Sequence, residues 1–224
     1  MVEEIILSKL ITKHIQDETK EFKMLTPYIE KHNITLCYGT SGSGKTVFLI
    51  QHLNKHGTIP LLIDFDGNRQ SHFKPLNLDL QTHILNGETF INNVFRDKQL
   101  REDLRGHTLI IDTWKMFIAF LKTKGVSTEI EALERLESLI KAIPDMTIII
   151  VTHADCFSNK EDIPDMETEV YSHINGRLNI KVNTGVAQRT YTLFLDKVRG
   201  YTGDKVILLR EDTLKRKQRY KMFT

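Results

Sequence analysis

Eight consecutive residues, Gly39-Thr40-Ser41-Gly42-Ser43-Gly44-Lys45-Thr46, satisfy every fixed position of the pattern G-x-x-x-x-G-K-[ST]. That order of residue types suits one chemistry, the gripping of a nucleoside triphosphate. Glycines at 39, 42 and 44 remove the Cβ atoms that would block a backbone wrapped round phosphates, and they supply positive φ where the loop needs it. The amides from Gly39 to Val47 then point inward. Lys45 adds a mobile charge for the β- and γ-phosphates, and the Thr46 hydroxyl is offered to Mg²⁺. Further candidates stand where such a site needs partners: Asp66 and Asp112 each close a hydrophobic run, and His153 follows another. Asp112 is suited to holding a water on the metal, and Asp66 is a candidate active-site acid.

The hydrophobic pattern supplies elements to carry these groups. Ile34 to Tyr38 reads as a buried strand, and Val47 to Ile50 with His52 and Leu53 as an amphipathic helix, a setting that a flexible glycine–serine linker lacks. Unpaired N–H groups and the positive dipole end at the start of that helix reinforce the anion site. Pro60 to Gly67 reads as a second buried strand ending in acids, Gln81 to Leu85 as a short strand, and Glu88 to Leu104 as one helix with Phe90, Ile91, Val94, Phe95 and Leu104 on its apolar side. His107 to Asp112 has the form of a Walker B strand. A helix from Thr113 to Leu121 and a polar turn at Lys122 to Gly125 follow. Thr128 and Glu131 form a capping box for a helix carrying Ile130, Leu133, Leu136, Ile140 and Ile143, which Pro144 stops. Met146 to Val151 is another buried strand with Thr152 and His153 at its carboxyl end, where parallel sheets present ligand groups.

Beyond it the pattern changes. Ala154 to Gly185 is a polar stretch too long for an ordinary connection, with Phe157, Lys160, Tyr171, His173, Arg177 and Lys181 along it. Gln188 to Val198 and Lys205 to Leu209 read as a hairpin, and Leu214 to Phe223, with its alternating cations, as a third antiparallel strand. Lysines on such an edge often serve only to block aggregation.

The chain of 224 residues, 40% hydrophobic, is large enough for one full core. Its 31 basic and 29 acidic residues, with pI about 8.4, create no global field that would demand a polyanionic partner. Two cysteines, Cys37 in a strand and Cys156 in a loop, point to reduced thiols in a cytosolic protein. The start lacks a basic signal-peptide region, and no apolar run approaches a membrane span.

Asp112 is followed by Thr113, not by the water-activating glutamate of AAA+ and ABC ATPases, so the base must come from elsewhere. With Asp66 ending the neighbouring strand, the arrangement resembles the RecA-like ATPases. Tyr38 to Thr46, Ile110-Ile111-Asp112-Thr113 and Val151-Thr152-His153-Ala154-Asp155 are most similar to phage-encoded RecA-like single-strand annealing ATPases. The resemblance implies an α/β P-loop fold of RecA-like type: a mostly parallel sheet flanked by helices, antiparallel C-terminal strands, a helical lead-in over 1–30 and a core over 31–224. It further implies ATP and Mg²⁺ as cofactors, with Lys45 and Thr46 on phosphates and metal, Asp112 orienting the metal's water, and Asp66 polarising the attacking water. His153 would sense the γ-phosphate, and Lys215, Lys217 or Arg219 would act in trans within a homo-oligomeric ring or filament. The loops at 122–127 and 154–183 would face single-stranded DNA, with Phe157 or Tyr171 stacking on bases. Asp66 is one methylene shorter than the family's usual glutamate, which implies slow hydrolysis in the cytoplasm of a host cell. Other readings are a helicase-like or loader ATPase, a small-molecule kinase with 154–183 as its lid, and a GTPase, suggested by Asp64-Phe65-Asp66-Gly67 and Asn159-Lys160-Glu161-Asp162. The interval from Thr46 to Asp64 has no room for the switch loop and antiparallel strand a GTPase needs.

Overall fold

Short runs of isoleucine and leucine, apolar on both sides, can be buried only as central strands of a sheet covered on two faces. The computed structural model describes residues 33–65, 82–154, 164–174, 176–184, 189–195 and 205–210. In chain order its elements are β1 (Ile34–Tyr38), α1 (Lys45–Lys55), β2 (Leu61–Asp64), β3 (His83–Asn86), α2 (Gly87–Val94), α3 (Lys98–Asp103) and β4 (Thr108–Asp112). They continue with α4 (Trp114–Thr123), α5 (Glu129–Ala142), β5 (Thr147–Val151), α6 (Thr168–His173), β6 (Gly176–Thr184), β7 (Arg189–Leu195) and β8 (Lys205–Arg210). The strands form one sheet in the order β3-β2-β4-β5-β1-β6-β7-β8. From β3 to β6 every pairing is parallel, and β7 and β8 are added antiparallel. This is the expected mostly parallel sheet with antiparallel C-terminal strands.

Alternation along the strands separates two faces. Leu36, Tyr38, Leu61, Ile63, Leu109, Ile111, Ile148 and Ile150 join the large core made with α2, α4, α5 and α6. Their neighbours Thr35, Cys37, Leu62, Asp64, Ile110, Asp112, Ile149 and Val151 are equally buried but point the other way, toward α1. The chain leaves β1 through α1 toward β2, whereas after β5 it reaches β6 on the far side of β1. The carboxyl end of β1 is thus a topological switch point, where open α/β sheets bind ligands.

Three sequence expectations are corrected. The single helix over 88–104 is two, because the Asp97 carboxylate accepts from the Leu100 amide at 3.1 Å and starts α3 afresh. Phe95 falls in the break and is 45% exposed. The stretch from Ala154, expected as a loop or a lid, contains α6 and β6. In the capping box Thr128 Oγ1 accepts from Glu131 N at 3.3 Å, but Glu131 reaches back one residue further, to Ser127 N at 2.7 Å. The Ser127 amide and hydroxyl hold the Glu131 carboxyl below its usual range. The lead-in over 1–30, Asp66, and the 214–223 stretch with Lys215, Lys217 and Arg219 lie outside the described residues.

The end of β2 is held by aromatic packing. Phe65 lies 5.4 Å from Phe117 and 5.9 Å from Phe120, ring centre to ring centre, and Gly87 at the start of α2 lies against it. A Cβ on Gly87 would come within 2.5 Å of the Phe65 ring. Gly→Ala in a helix ordinarily stabilises by about 0.5–1 kcal/mol, but here overpacking costs about 1–3 kcal/mol. Gly87→Ala is therefore expected to lower the thermal midpoint, and an unchanged or raised midpoint would show that Phe65 moves aside freely. Cys37 yields a second expectation. Burial pushes its thiol from 9.0 up to about 12; Lys45 offsets part of that rise and Asp112 adds to it. In a Cys156→Ser variant the native protein should react with a thiol reagent roughly a thousandfold more slowly than a free thiol, with full labelling in denaturant. Rapid native labelling would contradict the burial of β1.

Candidate nucleotide site at the carboxyl edge of the sheet

Gly39 to Gly44 turn tightly between β1 and α1. Gly42 and Gly44 have φ of 71° and 80°, a region that L side chains rarely adopt, and the Ser43 amide donates to Thr40 O at 3.2 Å. The sequence thus dictates the curve of the loop. At α1 the N-cap is Gly44, with no side-chain cap and no acid in the first turn. By contrast α2, α3 and α5 are capped by Asn86, Asp97 and Thr128. The first amides of α1 are thereby left to an outside acceptor, and with the helix dipole they favour an anion.

Lys45 is 5% exposed, its ammonium folded back over the loop. Nζ donates to Gly39 O at 3.0 Å and Thr40 O at 2.9 Å, and lies 3.5 Å from Ser43 Oγ and from His153 Nδ1. Carbonyl oxygens are weak partners for a buried cation beside phosphate oxygens. Thr46 Oγ1 donates to Asp112 Oδ2 at 2.5 Å, joining α1 to the end of β4. A hydroxyl and a carboxylate in contact are oxygen donors of the kind Mg²⁺ prefers. Among the described residues no group of three or more His, Cys, Asp or Glu could hold a metal. The Thr46 hydroxyl and Asp112 carboxylate, beside the phosphate loop, are donors that fit a cation carried with phosphates.

β5 lies between β1 and β4, so its carboxyl end reaches the loop directly. The Thr152 amide donates to Cys37 O at 3.0 Å and the Ala154 amide to Gly39 O at 2.8 Å, which sets His153 against Lys45. Past Ala154 the chain returns to the same place: Ala154 bridges Pro164, Asp165 N donates to His153 O at 2.8 Å, and Thr152 Oγ1 donates to Asp165 O at 3.2 Å. Both ends of the 155–163 segment are thus fixed beside the phosphate loop. Glu129 Oε2 accepts from Trp114 Nε1 at 2.9 Å and from the Glu167 amide at 3.0 Å, tying α4, α5 and the start of α6 together.

Lys45 lies beside His153 and Thr46 beside Asp112, so these four residues stand at one edge of the sheet. Tyr171 does not fit its expected role. Its ring meets Tyr38 edge-on at 6.3 Å and carries the Arg177 guanidinium 4.0 Å from its centre, so a face that could stack on a base is already covered. Lys122 and Lys124 are exposed after α4, the latter 5.4 Å from the Phe120 ring centre. Phe157 and Lys160 lie outside the described residues. One buried acid at the same edge was not singled out in the sequence. Asp64 is 4% exposed and pairs in register with Asp112; the period-two spacing from Asp66 was the signal for it.

No family model matches the chain, and no curated protein matches it. Among solved structures it is similar to a KaiC-like protein from the hyperthermophilic archaeon Pyrococcus horikoshii OT3, at 16% identity and a TM-score of 0.50, over 80% of this chain and 90% of that one. At that identity the likeness speaks for architecture. The chain shares an α/β fold with that KaiC-like protein, a mostly parallel central sheet flanked by helices.

Proposed function

We propose that the protein is an ATP-binding, slowly hydrolysing RecA-like ATPase that acts on single-stranded DNA in recombination or strand annealing. The observation that carries the nucleotide reading is the Thr46–Asp112 contact beside an uncapped α1 and a buried Lys45. Mg²⁺, when bound with ATP, supplies Lewis-acid charge at the β- and γ-phosphates. The amides from Gly39 to Val47 and Lys45 would hold the phosphates, and Thr46 with Asp112 would hold the ion. Asp66, two residues past the end of β2, polarises the attacking water. His153 reads the γ-phosphate through its place beside Lys45.

The DNA reading rests on the resemblance, on the exposed Lys122 and Lys124 after α4, and on the cluster Lys215, Lys217 and Arg219 in the sequence. In a homo-oligomer that cluster would be the candidate to act in trans on the neighbouring subunit's nucleotide. A GTPase reading is disfavoured, because β2 follows α1 directly and pairs parallel with β4, with no antiparallel strand between α1 and β2.

Charge-assisted bonds to phosphate are worth about 1.5–3 kcal/mol, so Lys45→Ala should weaken ATP binding roughly 10- to 100-fold and abolish hydrolysis; wild-type turnover in the purified variant would refute the site. Hydrolysis measured with and without single-stranded DNA, at several salt concentrations, tests the partner. Binding should weaken steeply with salt and be lost when Lys215, Lys217 and Arg219 are all alanine. No binding at low salt, with or without ATP, would leave a nucleotide enzyme without a DNA role.

A further inference from the structure

Two edges of the candidate site converge on one oxygen atom. On one side Asp112 closes β4, and the chain runs through Thr113 to Trp114, whose indole Nε1 donates to Glu129 Oε2 at 2.9 Å. On the other side His153 follows β5, and its carbonyl accepts from the Asp165 amide at 2.8 Å. Two residues past Asp165, the Glu167 amide donates to that same Glu129 Oε2 at 3.0 Å. Glu129 opens α5, a helix seated in the core by Ala132, Leu133, Leu136 and Leu139. The acceptor therefore stands on a fixed base, while both of its donors belong to segments that lead away from the rim of the sheet.

Trp114 is 0% exposed, so its N–H has to be satisfied inside the protein. One acceptor shared by two donors fixes more than two bond lengths: it also fixes how far apart the donors lie. Phosphoryl chemistry is sensitive to that kind of constraint, because a misplacement of about 1 Å caused far from the reacting atoms can cost on the order of 100-fold in rate. We infer that Glu129 is a positioning residue of the nucleotide site. By holding Trp114 and Glu167 on one oxygen, it sets the Asp112 side, which carries the metal, against the His153 side, which reads the γ-phosphate. The inference rests on the nucleotide reading above and extends it to a residue that acts only through its neighbours.

The test measures ATP hydrolysis by the full-length protein and, separately, binding of a fluorescent ADP analogue in EDTA. Glu129→Leu removes the acceptor: kcat should fall roughly 10- to 100-fold while KM moves less than about threefold. Binding in EDTA depends on the phosphate loop and Lys45 and should stay at the wild-type value. Glu129→Gln keeps an oxygen able to accept from both donors and should restore most of the rate. Two further variants cut the arms singly. Glu167→Pro deletes one amide at a residue whose φ of −60° already suits proline, and Trp114→Phe deletes the indole N–H. If Glu129 links the two sides, each cut lowers kcat and the double variant is no slower than the slower single one, whereas independent structural contacts would multiply. These single cuts carry the test should Glu129→Leu fail to fold. Multiplied losses, an unchanged kcat in every variant, or a fall in kcat matched by weaker binding in EDTA would overturn the inference. If the wild type binds no analogue or hydrolyses no ATP, the nucleotide reading itself fails; if it does both and the variants behave in one of those three ways, that reading stands and this inference falls.

Discussion

The molecule is organised by the bond between Thr46 and Asp112. It joins the first turn of α1 to the last residue of β4, two places that are far apart in sequence and separated in the sheet by β5. For that bond to form, β4 must end level with the phosphate loop, and β5 must end between them without blocking it. The apolar runs Leu109-Ile110-Ile111 and Ile148-Ile149-Ile150-Val151 satisfy both demands: they pair in register and are buried on both faces. Hydrophobic burial thus acts on function indirectly. It fixes the height at which polar residues emerge from the sheet, and the chemistry at the rim follows from that height.

The polar groups at the rim are held by different means. Lys45 is restrained by main-chain oxygens of its own loop and by His153, so its charge is stored close to where a phosphate would lie. Glu129 takes two donors on one oxygen, one from the indole of the chain's single tryptophan and one from the amide that opens α6. Trp114 follows Thr113 and Asp112 directly, so this carboxylate braces the exit of β4 from behind. The exposed Lys115–Asp165 pair spans the same gap at 2.9 Å but, wet on both sides, contributes little.

Much of this was legible in the residues. The phosphate loop and the strands closing in Asp112 and before His153 carry patterns that local physics enforces: glycines where φ is positive, and unbroken apolar runs where burial is double-sided. The parts that were not legible depend on contacts between distant segments. No local signal says that Asp97 will restart a helix in preference to continuing one, because the outcome turns on a side-chain bond competing with a backbone bond. β6 was missed although Leu178, Ile180 and Val182 alternate with Arg177, Asn179 and Lys181 as a strand would, because that signal follows a short helix in a polar stretch and the place beside β1 is set by pairing at long range. Tyr171 shows the same limit. An aromatic residue in a polar stretch suggested a stacking surface, and only the fold reveals that Tyr38 and Arg177 already occupy it.

The bridge between Ala154 and Pro164 makes a hairpin-like clamp, with Asp165 N on His153 O closing it. Once the two ends of a segment are fastened to each other, its closure is settled locally, and lengthening it adds only a slowly growing entropic term. A change of length between the two clamped residues therefore leaves the strand ends beneath where they are. Such a clamp lets this architecture change what it touches while the rim of the sheet beneath keeps its shape.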